Sequence, residues 1–202
     1  MKQLLGILLV ALIPFPAAAV EEPRHEVVRT LDERVELRRY APYVVAEVEL
    51  DADASEAGNR AFPILAGYIF GKNKGERKLE MTAPVTQTAA PMKMAMTAPV
   101  TQSATRSGTR VQFVLPASVT LATAPEPLDP RVKIREVPAH RVAAVRFSGF
   151  WSEDNYQRHL NQLTTGLQAA GLRWKREPVY SRYDAPWTPW FMRRNEIWLA
   201  LE

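Results

Sequence analysis

One sequence pattern occurs twice in the chain, and this repeat constrains the fold more than any other feature. The segments 35–50 and 132–147 superpose without a gap at an offset of 97 residues, so that Leu37 falls on Ile134. In each segment apolar residues alternate with polar ones on both sides of a turn that contains proline. This alternation predicts two strands joined at the turn, that is, a β-hairpin.

A helical pattern follows each repeated segment. Ser55 and Ser152 are related by the same offset and are predicted N-caps, while Gly71 and Gly171 are predicted to end the helices. Apolar residues fall at helical spacing between these limits: Phe62, Leu65, Tyr68 and Ile69 in the first helix, and Tyr156, Leu160, Leu163 and Leu167 in the second. Further strand-like segments are 110–116, 174–182 and 196–201.

These elements predict an α+β fold. We expect two pseudo-twofold related β-hairpin/helix repeats whose strands merge into one antiparallel sheet or open barrel, with the two main helices packed on the sheet. A fold of this kind has a natural ligand cleft between its helix layer and its sheet layer.

The N-terminal residues have the layout of a secretory signal peptide. Lys2 precedes an apolar run that ends in the small residues 17–19, and charged residues follow at once. We therefore expect residues 1–19 to be a cleaved signal peptide, residues 20–202 to form a single domain, and the protein to be periplasmic or secreted, with no stable membrane span after cleavage. The chain has no cysteine, which excludes disulfides and thiolate metal sites.

Charge and motif content exclude several classes of function. The formal net charge of the chain, +4, is small, and the basic residues are scattered along the sequence. We therefore expect no nucleic-acid partner. The sequence has no paired-histidine zinc motif, serine elbow, phosphate-binding glycine loop or cysteine nucleophile. We therefore predict a binding protein rather than an enzyme. We also expect a monomer, although the sequence leaves the oligomeric state open.

The most specific motif is a heptapeptide, Met-Thr-Ala-Pro-Val-Thr-Gln, which occurs at 81–87 and again at 96–102. Other motifs accompany it in order: 68–73 (Tyr-Ile-Phe-Gly-Lys-Asn), 112–116, 129–134, 146–149 and 193–198. With these motifs the chain resembles the SOUL haem-binding protein family over nearly all of residues 26–201.

The resemblance implies a distorted antiparallel β-barrel of two similar halves flanked by two helices. It also implies a protein that binds haem or a related tetrapyrrole and has no agreed enzymatic activity. It also implies that the ligand lies in an apolar groove along the first helix, with basic residues at the rim to pair with the propionates. The residues expected to contact the ligand are Arg60, Phe62, Leu65, Ala66, Ile69 and Lys72; Lys74 is a further basic candidate.

Axial ligation of the haem iron stays open. Some relatives are proposed to use a histidine just before the tyrosine of the first hairpin, but this chain has Arg39 before Tyr40. His140, His159, a methionine or no protein ligand at all remain, and the two histidines are weak candidates.

Two alternatives belong to other classes of function. Met92, Met94 and Met96 alternate, so in a strand their thioethers would share one face and suit Cu(I), although methionine is also a common core filler. The second alternative is a protein-interaction module with the barrel as scaffold.

Two further groups of residues have both a structural and a ligand-binding interpretation. The aromatic residues of the C-terminal region, among them Trp187 and Trp190, are interpreted as core rather than as a stacking surface. Arg193, Arg194 and Glu196 at the start of the last strand are interpreted as forming an internal ion pair, with pairing to propionates as the alternative.

Overall fold

The computed structural model describes residues 20–75, 91–175, 177–185 and 187–202. The predicted signal peptide and the first copy of the heptapeptide lie outside these residues. The described residues form two α-helices, α1 (Ala54–Ile69) and α2 (Glu153–Ala169), a short 3₁₀ helix (Trp190–Met192) and nine strands. The strands are β1 (His25–Asp32), β2 (Val35–Tyr40), β3 (Tyr43–Leu50), β4 (Val100–Thr105), β5 (Gly108–Val114), β6 (Lys133–Val137), β7 (His140–Phe147), β8 (Val179–Arg182) and β9 (Asn195–Ala200).

All nine strands belong to one antiparallel sheet with the order β1-β2-β7-β9-β8-β4-β5-β3-β6. Both helices pack on it, which confirms the predicted α+β fold class. The repeat is visible in the pairing: Leu37 lies opposite Ala143 and Ile134 lies opposite Ala46, two pairs that the offset of 97 residues exchanges.

The two strands of each repeat do not pair with each other, so the predicted hairpins are wrong in this respect. β2 pairs with β7, and β3 pairs with β6, so each repeat exchanges strands with the other. The linkers explain this, because a two-residue hairpin turn favours residues with positive φ. The linkers are 41–42 and 138–139, each of which contains a proline whose φ is fixed near −65°.

The short linkers also curl the sheet. β2 is the second strand in the sheet order and β3 is the eighth, yet only residues 41–42 join them. An extended chain advances at most about 3.5 Å per residue, so the two ends of the sheet must approach each other. The sheet is therefore an open, distorted barrel.

The helix ends follow local side-chain chemistry. Ser152 caps α2 as predicted, because its Oγ accepts a hydrogen bond from the backbone N–H of Asn155 at 3.4 Å. The predicted cap Ser55 is wrong for α1. That helix begins at Ala54, and Asp53 Oδ1 accepts the N–H of Glu56 at 2.9 Å, since aspartate two positions earlier is an equally good cap.

Two apolar cores lie side by side between the helices and one face of the sheet. The first joins α1 to β3 and β5, and the second joins α2 to β2, β7 and β9. A smaller cluster on the opposite face consists of Tyr40, Val142, Ala144 and Trp198. The seam between the two main cores runs along the paired strands β4 and β8.

None of the helices in the described ranges is both long enough and apolar enough to cross a membrane.

Candidate ligand-binding site

Three of the residues predicted to contact a ligand face the sheet. Leu65, Ala66 and Ile69 are buried in the first core, and Leu65 has no exposed surface. Their neighbours in this core include Val48, Phe113 and other strand residues. On this side of α1 the space between helix and sheet is thus occupied by the protein's own side chains.

The other three predicted residues are accessible to solvent. Phe62 is 44% exposed, and its ring lies edge-on to Phe113 with centroids 5.5 Å apart. Arg60 forms an exposed ion pair with Glu56 at 3.3 Å. Lys72 is also exposed, beyond the end of α1. The structure therefore divides the six residues into two sets, and their contact with a ligand stays a prediction.

An exposed aromatic surface lies elsewhere, around the 3₁₀ helix before β9. We call the side chains of Phe150, Trp187, Trp190, Phe191 and Met192 the aromatic loop surface; Trp187 is 85% exposed and Phe191 is 61% exposed. The Phe150 and Trp190 rings stack with centroids 5.3 Å apart, and the N–H of Gly149 donates to the Trp190 carbonyl at 3.0 Å. The interpretation of the C-terminal aromatic residues as core is therefore wrong for Trp187 and Trp190.

That interpretation is confirmed for two other tryptophans. Trp198 is buried in the cluster on the far face of the sheet, and Trp174 packs against the second core. Composition alone did not separate these two from the exposed pair.

The seam between the two cores is polar, next to the aromatic loop surface. Gln102 on β4 and Arg182 on β8 lie on the same face of the sheet as the helices. α1 approaches them at Gly58, where an added methyl group would collide with the Gln102 amide and lie 3.7 Å from Arg182 Nη1. The Arg182 guanidinium stacks on the Trp151 ring at 3.9 Å, and Trp151 follows Phe150 in the chain.

Arg182 is an unusual cation. Burial, followed by the positive charge of Arg193, lowers the pKa of Arg182 to about 10. No carboxylate in the described part of the chain pairs with it. Neither Arg182 nor Trp151 was predicted from the sequence to contact a ligand.

A second polar group is buried on the opposite face and is fully satisfied. Glu196 has no exposed surface and pairs with Arg38 at 2.7 Å and with Arg194 at 2.8 Å. Tyr183 and Trp198 also donate hydrogen bonds to its carboxylate. The predicted ion pair of Arg194 and Glu196 is confirmed, with Arg38 as an additional partner. Because every donor is matched, this network is structural.

None of the three histidines belongs to the aromatic loop surface. His25 and His140 pack against Tyr40 on the far face of the sheet. His159 is buried on α2, where it stacks on Phe147 and its Nδ1 lies 2.6 Å from the Asn155 carbonyl. Among residues 20–75, 91–175, 177–185 and 187–202, no group of three or more His, Asp or Glu side chains is arranged to hold a metal ion.

The three alternating methionines pack on the first core. Met94 is buried in it, and Met92 and Met96 are partly buried against it. The segment precedes β4 and is not a strand. This placement agrees with the interpretation of these methionines as core fillers.

Comparison with known sequences decides the family. The profile of the family described as "SOUL heme-binding protein" matches residues 20–200. This chain belongs to the SOUL family. Heme-binding protein 1 of Mus musculus is 30% identical to the chain over 157 residues, which cover 77% of each protein. Heme-binding protein 2 of Homo sapiens is 30% identical over 167 residues, covering 81% of this chain and 76% of that protein.

Solved structures support the fold assignment of this SOUL-family chain. The crystal structure of the EcmrR C-terminal domain superposes with a TM-score of 0.57 at 14% identity, covering 84% of this chain and 97% of that one. A hydrolase from Listeria innocua gives a TM-score of 0.55 at 13% identity, covering 84% and 92%. At these identities the likeness concerns the fold alone.

Proposed function

We propose that this SOUL-family protein binds haem or a related tetrapyrrole. We further propose that the macrocycle lies against the aromatic loop surface, beside the seam between the two main cores. One observation carries the location: five large apolar side chains, four of them in residues 187–192, are exposed next to a partly buried cation. Monomeric proteins rarely expose such a concentration of apolar side chains unless it binds something.

The chemistry of a tetrapyrrole fits these residues. Its faces are flat and apolar, and flat aromatic side chains such as Trp190 and Phe191 bury such faces with little loss of conformational entropy. Met192 is 66% exposed in the same segment, and a thioether is an accepted axial ligand of haem iron. The ligation candidates exposed at this surface are therefore Met192 or no protein ligand, while His140 packs against Tyr40 and His159 is buried against Phe147.

Two of the accessible predicted residues lie on α1 near Gly58, which faces the seam. Phe62 follows Gly58 by one helical turn and shares its side of the helix, whereas Arg60 follows it by two residues and lies on another side. We propose that they contribute at the rim and that Leu65, Ala66 and Ile69 support α1 from below. Lys72 is the candidate partner for a propionate only if the ligand extends to the end of the helix.

A binding role without catalysis is the corresponding biological proposal. We infer that the protein is exported and serves in transport, buffering or sequestration of its ligand. The N-terminal order of a charge, an apolar run and small residues supports export. Fractionation of the native host, with N-terminal sequencing of the mature protein, tests it: a mature start near Val20 outside the cytoplasm supports export, and an intact cytoplasmic chain overturns it.

The test of ligand binding is titration with haemin, followed by the Soret band. We expect saturable binding to the wild type, and affinity reduced about tenfold or more in the double variant Trp190→Ser/Phe191→Ser, because the stacking surface is removed. The matched control is Leu121→Ser, which removes another exposed apolar side chain and should bind as the wild type does.

The experiment separates function from location. No saturable shift in the wild type at micromolar haemin contradicts the proposed function. Normal binding by the double variant, together with weak binding by Phe62→Asp, contradicts the proposed location and favours a groove along α1 instead.

A further inference from the structure

Arg182 is positioned in a way that a purely structural arginine is not. Its Nε is buried without a hydrogen-bond partner, and no carboxylate in the described residues neutralises its charge. The nearby cation Arg193 increases the local positive charge. Arg182 is partly buried, and a cation withdrawn from water is normally paired, because an opposite charge or hydrogen bonds must replace the water.

The surroundings of Arg182 are under-satisfied as well. Gln102 is 2% exposed, and its Oε1 is buried without a partner. The Tyr156 hydroxyl, in the aromatic cluster that links Trp151 to Tyr180, is likewise buried without one. Native structures leave few such groups, and each one calls for an explanation such as a ligand or bound water.

The surroundings of Glu196 differ from those of Arg182. The same chain surrounds a buried carboxylate with two arginines, a tyrosine and a tryptophan, so that all its lone pairs are used. At the seam a partly buried guanidinium has only an aromatic ring beneath it, and its Nε is buried without a partner. A cation–π contact contributes about 0.5–2 kcal/mol but does not replace the hydrogen bond that the Nε loses on burial.

We propose that Arg182 is the anchor for a carboxylate of the bound ligand, so that the site selects apolar planar molecules that carry an acidic group. The proposal rests on the proposed function and specifies the class of ligand. The Trp151 ring lies beneath the guanidinium, whose Nε has no hydrogen-bond partner in the described residues, so a ligand carboxylate can accept hydrogen bonds from its edge in a bidentate way. The apolar body of the ligand then extends over the adjacent aromatic loop surface.

The test uses two ligands and two properties. Protoporphyrin IX has two free carboxylates on its propionate side chains, and in its dimethyl ester both are uncharged methyl esters. Binding of each compound is followed by quenching of tryptophan fluorescence in the same solvent. We expect the wild type to bind the acid about tenfold or more tightly than the ester, and Arg182→Met to bind both alike. Arg182→Lys should keep part of the preference.

The second property is the stability of the ligand-free protein. Because no carboxylate among the described residues pairs with Arg182, Arg182→Met should keep the melting temperature of the wild type or raise it, since methionine retains the contact with Trp151 and removes a partly buried charge. A structural arginine would show the opposite, a clear loss of melting temperature. The matched control is Arg106→Met, an exposed charge in the turn between β4 and β5, which should change neither property.

The outcomes are distinct. If the wild type binds acid and ester equally, or Arg182→Met keeps the preference for the acid, the anchor is overturned while the proposed function stands. If Arg182→Met lowers both the melting temperature and the affinity for the ester, Arg182 is structural and the anchor is again overturned. If the wild type binds neither porphyrin, the proposed function itself fails.

Discussion

The substitution Glu196→Gln tests the buried network on the far face of the sheet. It keeps the shape of the side chain but removes the charge that Arg38 and Arg194 share. Arg38 is only 4% exposed and Glu196 is fully buried, so solvent does not replace the lost carboxylate. Breaking a buried pair on one side typically costs about 3–5 kcal/mol. For a domain of this size that corresponds to a melting temperature about 10 °C lower.

The network also predicts a pH dependence. Burial alone would raise the pKa of Glu196, but the hydrogen bond and charge of Arg38, with Arg194 and Trp198, hold the pKa of Glu196 below its ordinary value of 4.5. A carboxyl whose pKa is lower in the folded state stabilises the fold above its unfolded pKa, and this contribution is lost as the pH falls through the folded value. The difference between wild type and Glu196→Gln should therefore be largest at neutral pH and shrink below about pH 4.5.

The assay is thermal or urea unfolding followed by circular dichroism at pH 7 and at several values below 5. The control is Glu56→Gln, which removes an exposed helical ion pair with Arg60 and should cost less than about 0.5 kcal/mol. A Glu196→Gln protein that melts within about 2 °C of the wild type at pH 7, or a stability difference independent of pH, would refute the reasoning.

Three further substitutions test the fold. Leu163→Ala in α2 removes a fully buried side chain and should cost about 2–5 kcal/mol in urea unfolding; a cost below 1 kcal/mol would contradict the described core. Gly108→Ala should destabilise the β4–β5 turn strongly, because φ is +137° there and a methyl group would collide with the Leu50 backbone; wild-type melting would argue against that turn. Ser152→Ala should cost about 1 kcal/mol of stability through loss of the α2 cap, and an unchanged unfolding midpoint would contradict the cap.

Local sequence patterns predicted both helices and seven of the nine strands in the described residues, but not β1, β4 or the pairing of the strands. Alternation and helical spacing identified the repeated strands and both helices, because these patterns depend on which face of an element is buried. The exchange of strands between repeats was not predicted. It follows from proline in the linkers 41–42 and 138–139, which excludes the favoured two-residue turns.

The candidate site was harder to predict from the sequence than the secondary structure was, for a physical reason. Helical spacing places Leu65 and Ile69 on one face of α1, but it does not distinguish packing against a sheet from contact with a ligand. The aromatic residues near 190 were visible, yet their exposure depends on how the chain between β8 and β9 projects from the barrel. Arg182 had no local signal at all, because its lack of a partner is decided by the register of β4 and β8 and by the approach of α1 at Gly58.

The most direct test of the central proposal is to map the ligand contact in solution. Zinc protoporphyrin, which is diamagnetic, is added to ¹⁵N-labelled protein, and changes in amide chemical shifts are followed in ¹H–¹⁵N spectra. If the ligand binds at the aromatic loop surface, we expect saturable shifts concentrated at residues 149–151, at 187–193 and around Arg182. Saturable shifts confined to another part of the barrel, or no saturable shifts, would contradict it.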